Sequence, residues 1–397
     1  MIEKMLVVDD EPDLEPMIRQ KFRKKIHEGK YEFVFASNGL EALSRLLEHK
    51  DIGIVLSDIN MPEMDGLTLL AKLNELRNPA LRTVIVSAYG DMDNIRTAMN
   101  RGAYDFITKP IDFSDLEMTI EKTIKEVEQV RNAIQEHDKL LAIQYDLDTA
   151  RNIQSAILPK KFPPFPEKSE FEIFASMEPA KEVGGDLYDF FLLDDNRVGF
   201  VIGDVSGKGV PAAIFMAVSR TLIRATALKG IPPDECLTYV NNLLSNESVA
   251  SMFVTVFYGV LDYRKGELIY ANGGHNPPYI VSSKGKVSPL ELTGGLALGV
   301  AEGITFNSKK VQLEKGDTIF TFTDGVTEAM NNDFDLYSEE RLEKLLADQF
   351  VLNVTELVNH TFDSVHLYAE GAIQSDDITV LALKYLSQNR IEAADQN

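Results

Sequence analysis

Between Asp112 and Leu158 the chain contains neither proline nor glycine, and charged residues are dense there. So long a stretch without a breaker reads as one helix, dividing the chain into a part before it and a part after it. Apolar residues at 116, 120, 124, 127, 130 and 134 keep helical spacing, as do those at 140, 143, 147, 150, 153 and 157. The two sets do not share one heptad register, so a stutter is expected near Gln135–Asp138. An apolar stripe on such a helix needs cover. Either it packs on the domains at its own ends, or two copies pair as a parallel coiled coil, which would make the protein a homodimer through 113–158.

Before the helix, apolar runs at Lys4–Val8, Glu32–Phe35, Gly53–Ser57, Thr83–Val86 and Tyr104–Ile107 alternate with amphipathic segments such as Gly39–Glu48 and Leu67–Leu76. This alternation predicts an α/β doubly wound domain over 1–112, with parallel strands in the order 2-1-3-4-5 and ligands at their carboxyl ends. Chemical groups collect at those ends. Asp9 and Asp10 close the first strand, Asp58 the third, Ser87 the fourth and Lys109 the fifth. Converging carboxylates suit Mg2+, which keeps waters and accepts phosphate oxygens. A carboxylate, a divalent cation, a hydroxyl and an ammonium together describe an aspartyl-phosphate site. Strand-end aspartates are often only caps or turns, but five such groups on one edge are hard to obtain by chance. The constellation resembles the receiver domains of bacterial response regulators across residues 1–125. That resemblance implies that Asp58 accepts a phosphoryl group from an upstream histidine kinase. It implies that Asp9, Asp10 and Asp58 hold Mg2+, and that Ser87, Phe106 and Lys109 report phosphorylation. For Phe106, plain core packing is an equal alternative.

After the helix, Pro159 and Phe162-Pro163-Pro164-Phe165-Pro166 mark a proline-rich loop over 159–169. In 170–386 apolar strands (Phe171–Met177, Gly199–Asp204, Phe253–Leu261, Glu267–Tyr270, Thr318–Thr323, Thr379–Lys384) interleave with helical stretches near 209–229, 233–247 and 338–370. Blocks of this kind suggest an α+β domain with stacked antiparallel sheets, and 387–397 reads as a polar tail. Four acidic motifs punctuate it: Gly184-Gly185-Asp186-Leu187-Tyr188-Asp189, Gly203-Asp204-Val205-Ser206-Gly207-Lys208-Gly209, Phe322-Thr323-Asp324-Gly325 and Ser375-Asp376-Asp377-Ile378-Thr379. Any one Asp-Gly pair is more often just a turn. Several carboxylates with open positions between them, and no need of Cys or His, suit a paired-metal site that activates water for attack on phosphorus.

These motifs, with Asn152-Ile153-Gln154-Ser155-Ala156-Ile157-Leu158-Pro159 and Asn272-Gly273-Gly274-His275-Asn276-Pro277-Pro278, resemble the bacterial PPM-type Ser/Thr phosphatases of the sporulation and stress-response group over about 145–386. The resemblance implies two stacked antiparallel sheets flanked by helices (αββα), with two Mn2+ or Mg2+ between them. It implies that Asp204 bridges the metals with the Val205 carbonyl nearby, that Asp324 and Asp376 complete one shell, and that Asp186 serves the other. Asp377 falls outside that shell. The phosphate-gripping arginine of the eukaryotic relatives has no counterpart; Lys181 reads as a surface lysine and His275 as a structural residue of its Gly/Pro turn. The implied substrate is a phosphoserine or phosphothreonine protein, an anti-sigma-factor antagonist.

Composition narrows the rest. A formal charge of −22, from 62 acidic and 40 basic residues, opposes binding to nucleic acid and to anionic lipid. The single cysteine, Cys236, rules out an internal disulfide and a Cys-rich zinc site. No signal-peptide layout and no run approaching a membrane span is legible, so a cytoplasmic protein is expected. The competing expectation is a phosphorylation-dependent adaptor with a metal-free phosphatase-like domain. Asp186, Asp204, Asp324 and Asp376 are all present, which weighs against that degeneration.

Overall fold

A computed structural model describes residues 2–88, 91–247 and 252–386; the expected polar tail at 387–397 lies outside the described residues. The first part is built from β1 (Glu3–Val8), α1 (Leu14–Lys21), α2 (Arg23–His27), β2 (Tyr31–Ala36), α3 (Gly39–Glu48), β3 (Ile54–Asp58), α4 (Gly66–Glu75), β4 (Arg82–Ala88), α5 (Met92–Asn100) and β5 (Asp105–Lys109). Its strands pair in parallel in the order β2-β1-β3-β4-β5. All five residues of β3 are buried, as befits a central strand covered on both faces. Two helices begin on side-chain caps: Asn38 accepts from the Glu41 amide and Asp65 from the Thr68 amide.

The long helix is α6, Phe113–Ile157, continuous through the expected stutter. Its two apolar sets have different fates. Leu116, Ile120 and Val127 are buried in the core of the first unit, beside Met5, Phe33 and Ile54. Arg131 extends the contact, pairing with Glu3 at 3.4 Å and donating to the Asp51 carbonyl at 3.0 Å. The sequence-based boundary at 112 therefore cuts through a packed core. Side chains 132–146 are all exposed, Ile134, Leu140, Leu141 and Ile143 among them. Gln154 and the following Leu158 are buried again. Contacts divide the chain into units of 1–143 and 144–397, with the division inside this helix.

The second unit comprises β6 (Phe171–Glu178), β7 (Leu187–Leu192), β8 (Arg197–Val205), α7 (Val210–Ala227), α8 (Pro233–Glu247), β9 (Val254–Asp262), β10 (Glu267–Gly273), β11 (Tyr279–Val281), β12 (Val287–Pro289), β13 (Ser308–Gln312), β14 (Thr318–Phe322), α9 (Asp324–Thr327), α10 (Glu339–Asp348), α11 (Val354–Tyr368) and β15 (Ile378–Tyr385). They form two antiparallel sheets, β13-β10-β9-β8-β7 and β12-β11-β14-β15-β6. Period-two alternation decides what each face buries. On β15, Leu381, Leu383 and Tyr385 pack inward with Phe200, Phe257 and Ile319. Ile378, Val380 and Ala382 face outward against Leu342 and Val358 of α10 and α11. On β8, Val198, Phe200 and Ile202 point inward while Val201 and Val205 meet Ala212 and Met216 of α7. The result is the αββα stack.

The helical block read over 338–370 is two helices. Asn353 starts the second with a capping box shared with Glu356. Among the described residues one helix, α7, is long and apolar enough to cross a membrane. Its Ala212, Met216 and Ile223 are instead buried against the first sheet of this domain.

Candidate active site

The receiver-like edge is the simpler of the two sites. Asp9, Asp10 and Asp58 offer carboxylate oxygens within 4.8 Å of one another. The Lys109 Nζ lies 3.0 Å from Asp9 Oδ2, 2.9 Å from Asp58 Oδ2 and 2.9 Å from Glu11 Oε1. Burial opposes charging that lysine, yet the Glu11, Asp58 and Asp9 carboxylates outweigh it and hold its pKa above the ordinary value. Burial likewise pushes Asp9 upward, against the Glu11 amide and Lys109, which pull it down. An ammonium resting among three carboxylates is what a divalent cation would meet there. Ser87 is fully buried on β4, its Oγ 3.4 Å from Asp91 Oδ2. Phe106 is 37% exposed, so core packing does not account for it.

The second site forms at one edge of the two sheets. Asp186 immediately precedes β7, and Asp204 lies near the end of β8, where Leu187 pairs with Gly203. Asp324 follows β14 and Asp376 comes just before β15, where Phe322 pairs with Val380. Antiparallel pairing thus carries four motifs scattered over the chain to one edge.

Their electrostatics register the crowding. Burial, then the charges of Asp324 and Asp376, push Asp204 up to about 7. Burial, with Asp204 and Asp377 next, holds Asp186 well above the usual carboxylate range. Asp324 is raised by burial and by Asp376. Carboxylates forced together in this way favour a cation. An ammonium already sits at the cluster, Lys208 Nζ, 2.8 Å from Asp376 Oδ2. The ions of a pair stand ~3.5–4 Å apart, so ligands on opposite ends spread wider than those of one ion. Asp204 feels the charges of Asp324 and Asp376 and in turn raises Asp186, so it links the other three. Asp186, Asp204, Asp324 and Asp376 therefore fit a metal pair, and the Val205 carbonyl faces the same loop: a Cβ on Gly185 would stand 3.0 Å from it.

Several residues that set this geometry lie inside those motifs without the sequence assigning them a part in it. The Thr323 and Thr379 hydroxyls both donate to Asp186 Oδ2, at 2.8 and 2.5 Å, fixing its rotamer. Asp377 accepts from the amides of Ala180 at 2.8 Å and Gly185 at 2.5 Å, which shapes the loop before Asp186 and occupies its own oxygens. Gln154 of α6 grips the Gly184 main chain twice, donating to its carbonyl at 2.5 Å and accepting from its amide at 3.0 Å. Asp189, buried on β7, pairs with Arg220 at 2.9 Å and Arg224 at 2.7 Å on α7. Lys181 lies exposed. His275 is buried, its Nδ1 2.9 Å from Thr255 Oγ1, and burial pushes its pKa down to about 4. It is neutral at pH 7 and holds a turn through reciprocal bonds with Asn272.

Gly325 offers a sharp test of the site's backbone. A Cβ there would stand 2.0 Å from the Asp377 carbonyl oxygen, where no rotamer change can relieve it. Gly325→Ala is expected to shift Asp324 against Asp376, abolish hydrolysis and cost about 1–3 kcal/mol of stability. Thermal melts and a phosphatase assay on the same preparation check both.

Comparison with known proteins agrees with this layout. Residues 5–121 match the response regulator receiver domain family, and residues 194–386 match the Stage II sporulation protein E (SpoIIE) family. The second match takes in Asp204, Asp324 and Asp376 and begins after Asp186. The chain is 33% identical over 282 residues to Protein IcfG of Synechocystis sp., covering 64% of this chain but only 44% of that protein. It is 32% identical over 256 residues to the phosphoserine phosphatase RsbU of Bacillus subtilis, covering 64% of this chain and 75% of RsbU. The SiaA-PP2C domain of Pseudomonas aeruginosa shares the fold, at TM-score 0.56 and 23% identity, over 62% of this chain and 98% of that domain. A receiver domain, a helix and a SpoIIE-type phosphatase domain follow one another in this sequence, and the chain belongs to the family of PP2C-like phosphatases that includes SpoIIE and RsbU.

Proposed function

We propose that phosphorylation of Asp58 controls a metal-dependent hydrolysis of phosphoserine or phosphothreonine on a protein substrate. The observation that carries the hydrolytic half is the meeting of Asp186, Asp204, Asp324 and Asp376 at one edge of two sheets. In this reading Asp204 would be shared by two Mn2+ or Mg2+ with the Val205 carbonyl nearby, Asp324 and Asp376 would complete the shell of one, and Asp186 would serve the other. The bound pair supplies an activated water for in-line attack on phosphorus and neutralises the phosphoryl oxygens. The chain's own part is to present the carboxylates: Thr323 and Thr379 orient Asp186, and Asp377 shapes the loop that carries it.

Gln154 supports the control half. The same helix is buried at Leu116, Ile120 and Val127 in the receiver core and ends with its Gln154 amide on the Gly184 main chain. A receiver whose phosphorylated form prefers another setting of this helix would alter the Asp186 loop. Asp9, Asp10 and Asp58 would hold the receiver's Mg2+, with Ser87, Phe106 and Lys109 reading the phosphoryl group from a histidine kinase. The exposed Ile134, Leu140, Ile143 and Ile153 favour a second copy along the helix, and so a homodimer. The likeness to the phosphoserine phosphatase RsbU supports a phosphoserine substrate, and the resemblance of the motifs to the sporulation and stress-response phosphatases implies an anti-sigma-factor antagonist in the cytoplasm.

Hydrolysis of p-nitrophenyl phosphate and of a phosphoserine protein, with Mn2+ and with or without beryllofluoride, tests both halves. Activity that requires Mn2+ and changes with beryllofluoride supports the reading; no activity in either state sinks it. Gln154→Ala leaves two buried main-chain groups without partners, a loss of about 1–3 kcal/mol at the loop. It is expected to lower turnover about tenfold and to raise the Mn2+ concentration needed for half-maximal activity, read from a Mn2+ titration.

A further inference from the structure

A pocket of about 270 Å3 opens beside the carboxylate cluster. Ala329, Met330, Val365, Ala372 and Ile378 make most of its lining apolar, His366, Glu370 and Gln374 add polar groups, and Gly325 and Asp376 form the wall it shares with the cluster. Its walls are tied in place. The Gln374 side-chain amide donates to the carbonyls of Glu178 and Asp376, at 3.0 and 2.8 Å. Lys208 donates to the Ser375 carbonyl, and Asn332 to that of Glu370 at 3.0 Å.

The surroundings of the pocket are apolar as well. Ile373 is 94% exposed and Phe334 83%, the two most exposed large apolar side chains among the described residues. Ile373 lines the pocket, and the turn carrying Phe334 is joined to its loop by the Asn332–Glu370 hydrogen bond. Apolar surface exposed next to a pocket can serve as a contact for a protein ligand. A mostly apolar lining whose charged groups include Glu370 and Asp376 is unsuited to a phosphate and suited to an aliphatic side chain.

We propose that this pocket is a specificity subsite that receives an aliphatic side chain of the phosphoprotein substrate, with Ile373 and Phe334 contacting the same substrate beside it. The proposal rests on the phosphatase reading. Continuity with the cluster sets the distance: an extended chain rises ~3.3 Å per residue, so the side chain belongs within about three residues of the phosphorylated one.

The test uses the full chain with Mn2+, p-nitrophenyl phosphate and a set of phosphoserine peptides of one common sequence. Leucine or aspartate is placed in turn at each of the three positions on either side of the phosphoserine. At one position, leucine is expected to raise kcat/KM about tenfold or more over aspartate. Ala372→Trp, which fills the pocket, is expected to erase that preference, and Ile373→Ser, on a side chain too exposed to affect folding, to weaken it. Neither should change turnover of p-nitrophenyl phosphate. Equal rates at every position, or a preference that survives Ala372→Trp, would overturn the subsite while leaving the phosphatase standing. A native chain that hydrolyses neither the peptides nor p-nitrophenyl phosphate would overturn both.

Discussion

Asp204→Asn is expected to lower Mn2+-dependent hydrolysis by about a thousandfold, roughly 4 kcal/mol of transition-state stabilisation, with the fold retained. The amide keeps the shape of the carboxylate and loses the charge that a bridging ligand needs. The same change removes a buried charge held among Asp324 and Asp376, so the metal-free variant should melt no lower than the native chain. The sign follows from linkage. Burial and the neighbouring carboxylates raise the folded-state pKa of Asp204 from the ordinary carboxylate value to about 7. Its contribution to stability is therefore fully present below pH ~4 and lost as the pH rises through ~7. Metal-free native protein should lose melting temperature across that window, and the asparagine variant should lose less. Mn2+ added at pH 7 should restore the native protein and not the variant. Calorimetric Mn2+ titrations alongside the melts separate a lost ligand from a lost fold; near-native turnover by Asp204→Asn would remove the bridging role.

Asp58→Ala is expected to leave basal hydrolysis within about twofold and to remove its entire response to acetyl phosphate or beryllofluoride. Asp58 is 7% exposed, at the carboxyl end of β3, and its Oδ2 lies 2.9 Å from Lys109 Nζ. Losing this carboxylate leaves Lys109 with Asp9 and Glu11, so the local fold should survive. A variant that still answers to beryllofluoride would place the acceptor elsewhere. One that loses basal activity as well would mean that the receiver supports the phosphatase structurally rather than switching it.

Much of this architecture was legible because the signals are local. Parallel strands of alternating βα units end on one edge, so Asp9, Asp58, Ser87 and Lys109 could be placed together from their positions alone. Asp204 and Asp324 stand beside glycine or small-residue turns at strand ends. The break between α10 and α11 carried a legible signal too, since Asn353 and Glu356 have capping-box spacing that a block read over 338–370 passes over. Strand β7 was harder, because Asp189 interrupts its apolar run. That charge is tolerated only because Arg220 and Arg224 reach it from a helix later in the chain.

Sequence by itself determined most of the strands and helices, the order of a receiver-like part, a long helix and a phosphatase-like part, and which segments bring acid to a strand end, since these follow from periodicity and turn chemistry within a few residues. Tertiary structure decided which carboxylates remain open to a cation. Asp376 and Asp377 are neighbours in the chain with the same side chain. The oxygens of Asp377 are taken by the amides of Ala180 and Gly185, nearly two hundred positions away, whereas Asp376 turns towards Lys208 and the cluster. Asp186 likewise owes its orientation to hydroxyls 137 and 193 positions distant. Hydrogen bonds over such separations exist only once both sheets have closed, because each needs a buried partner that the local chain does not supply.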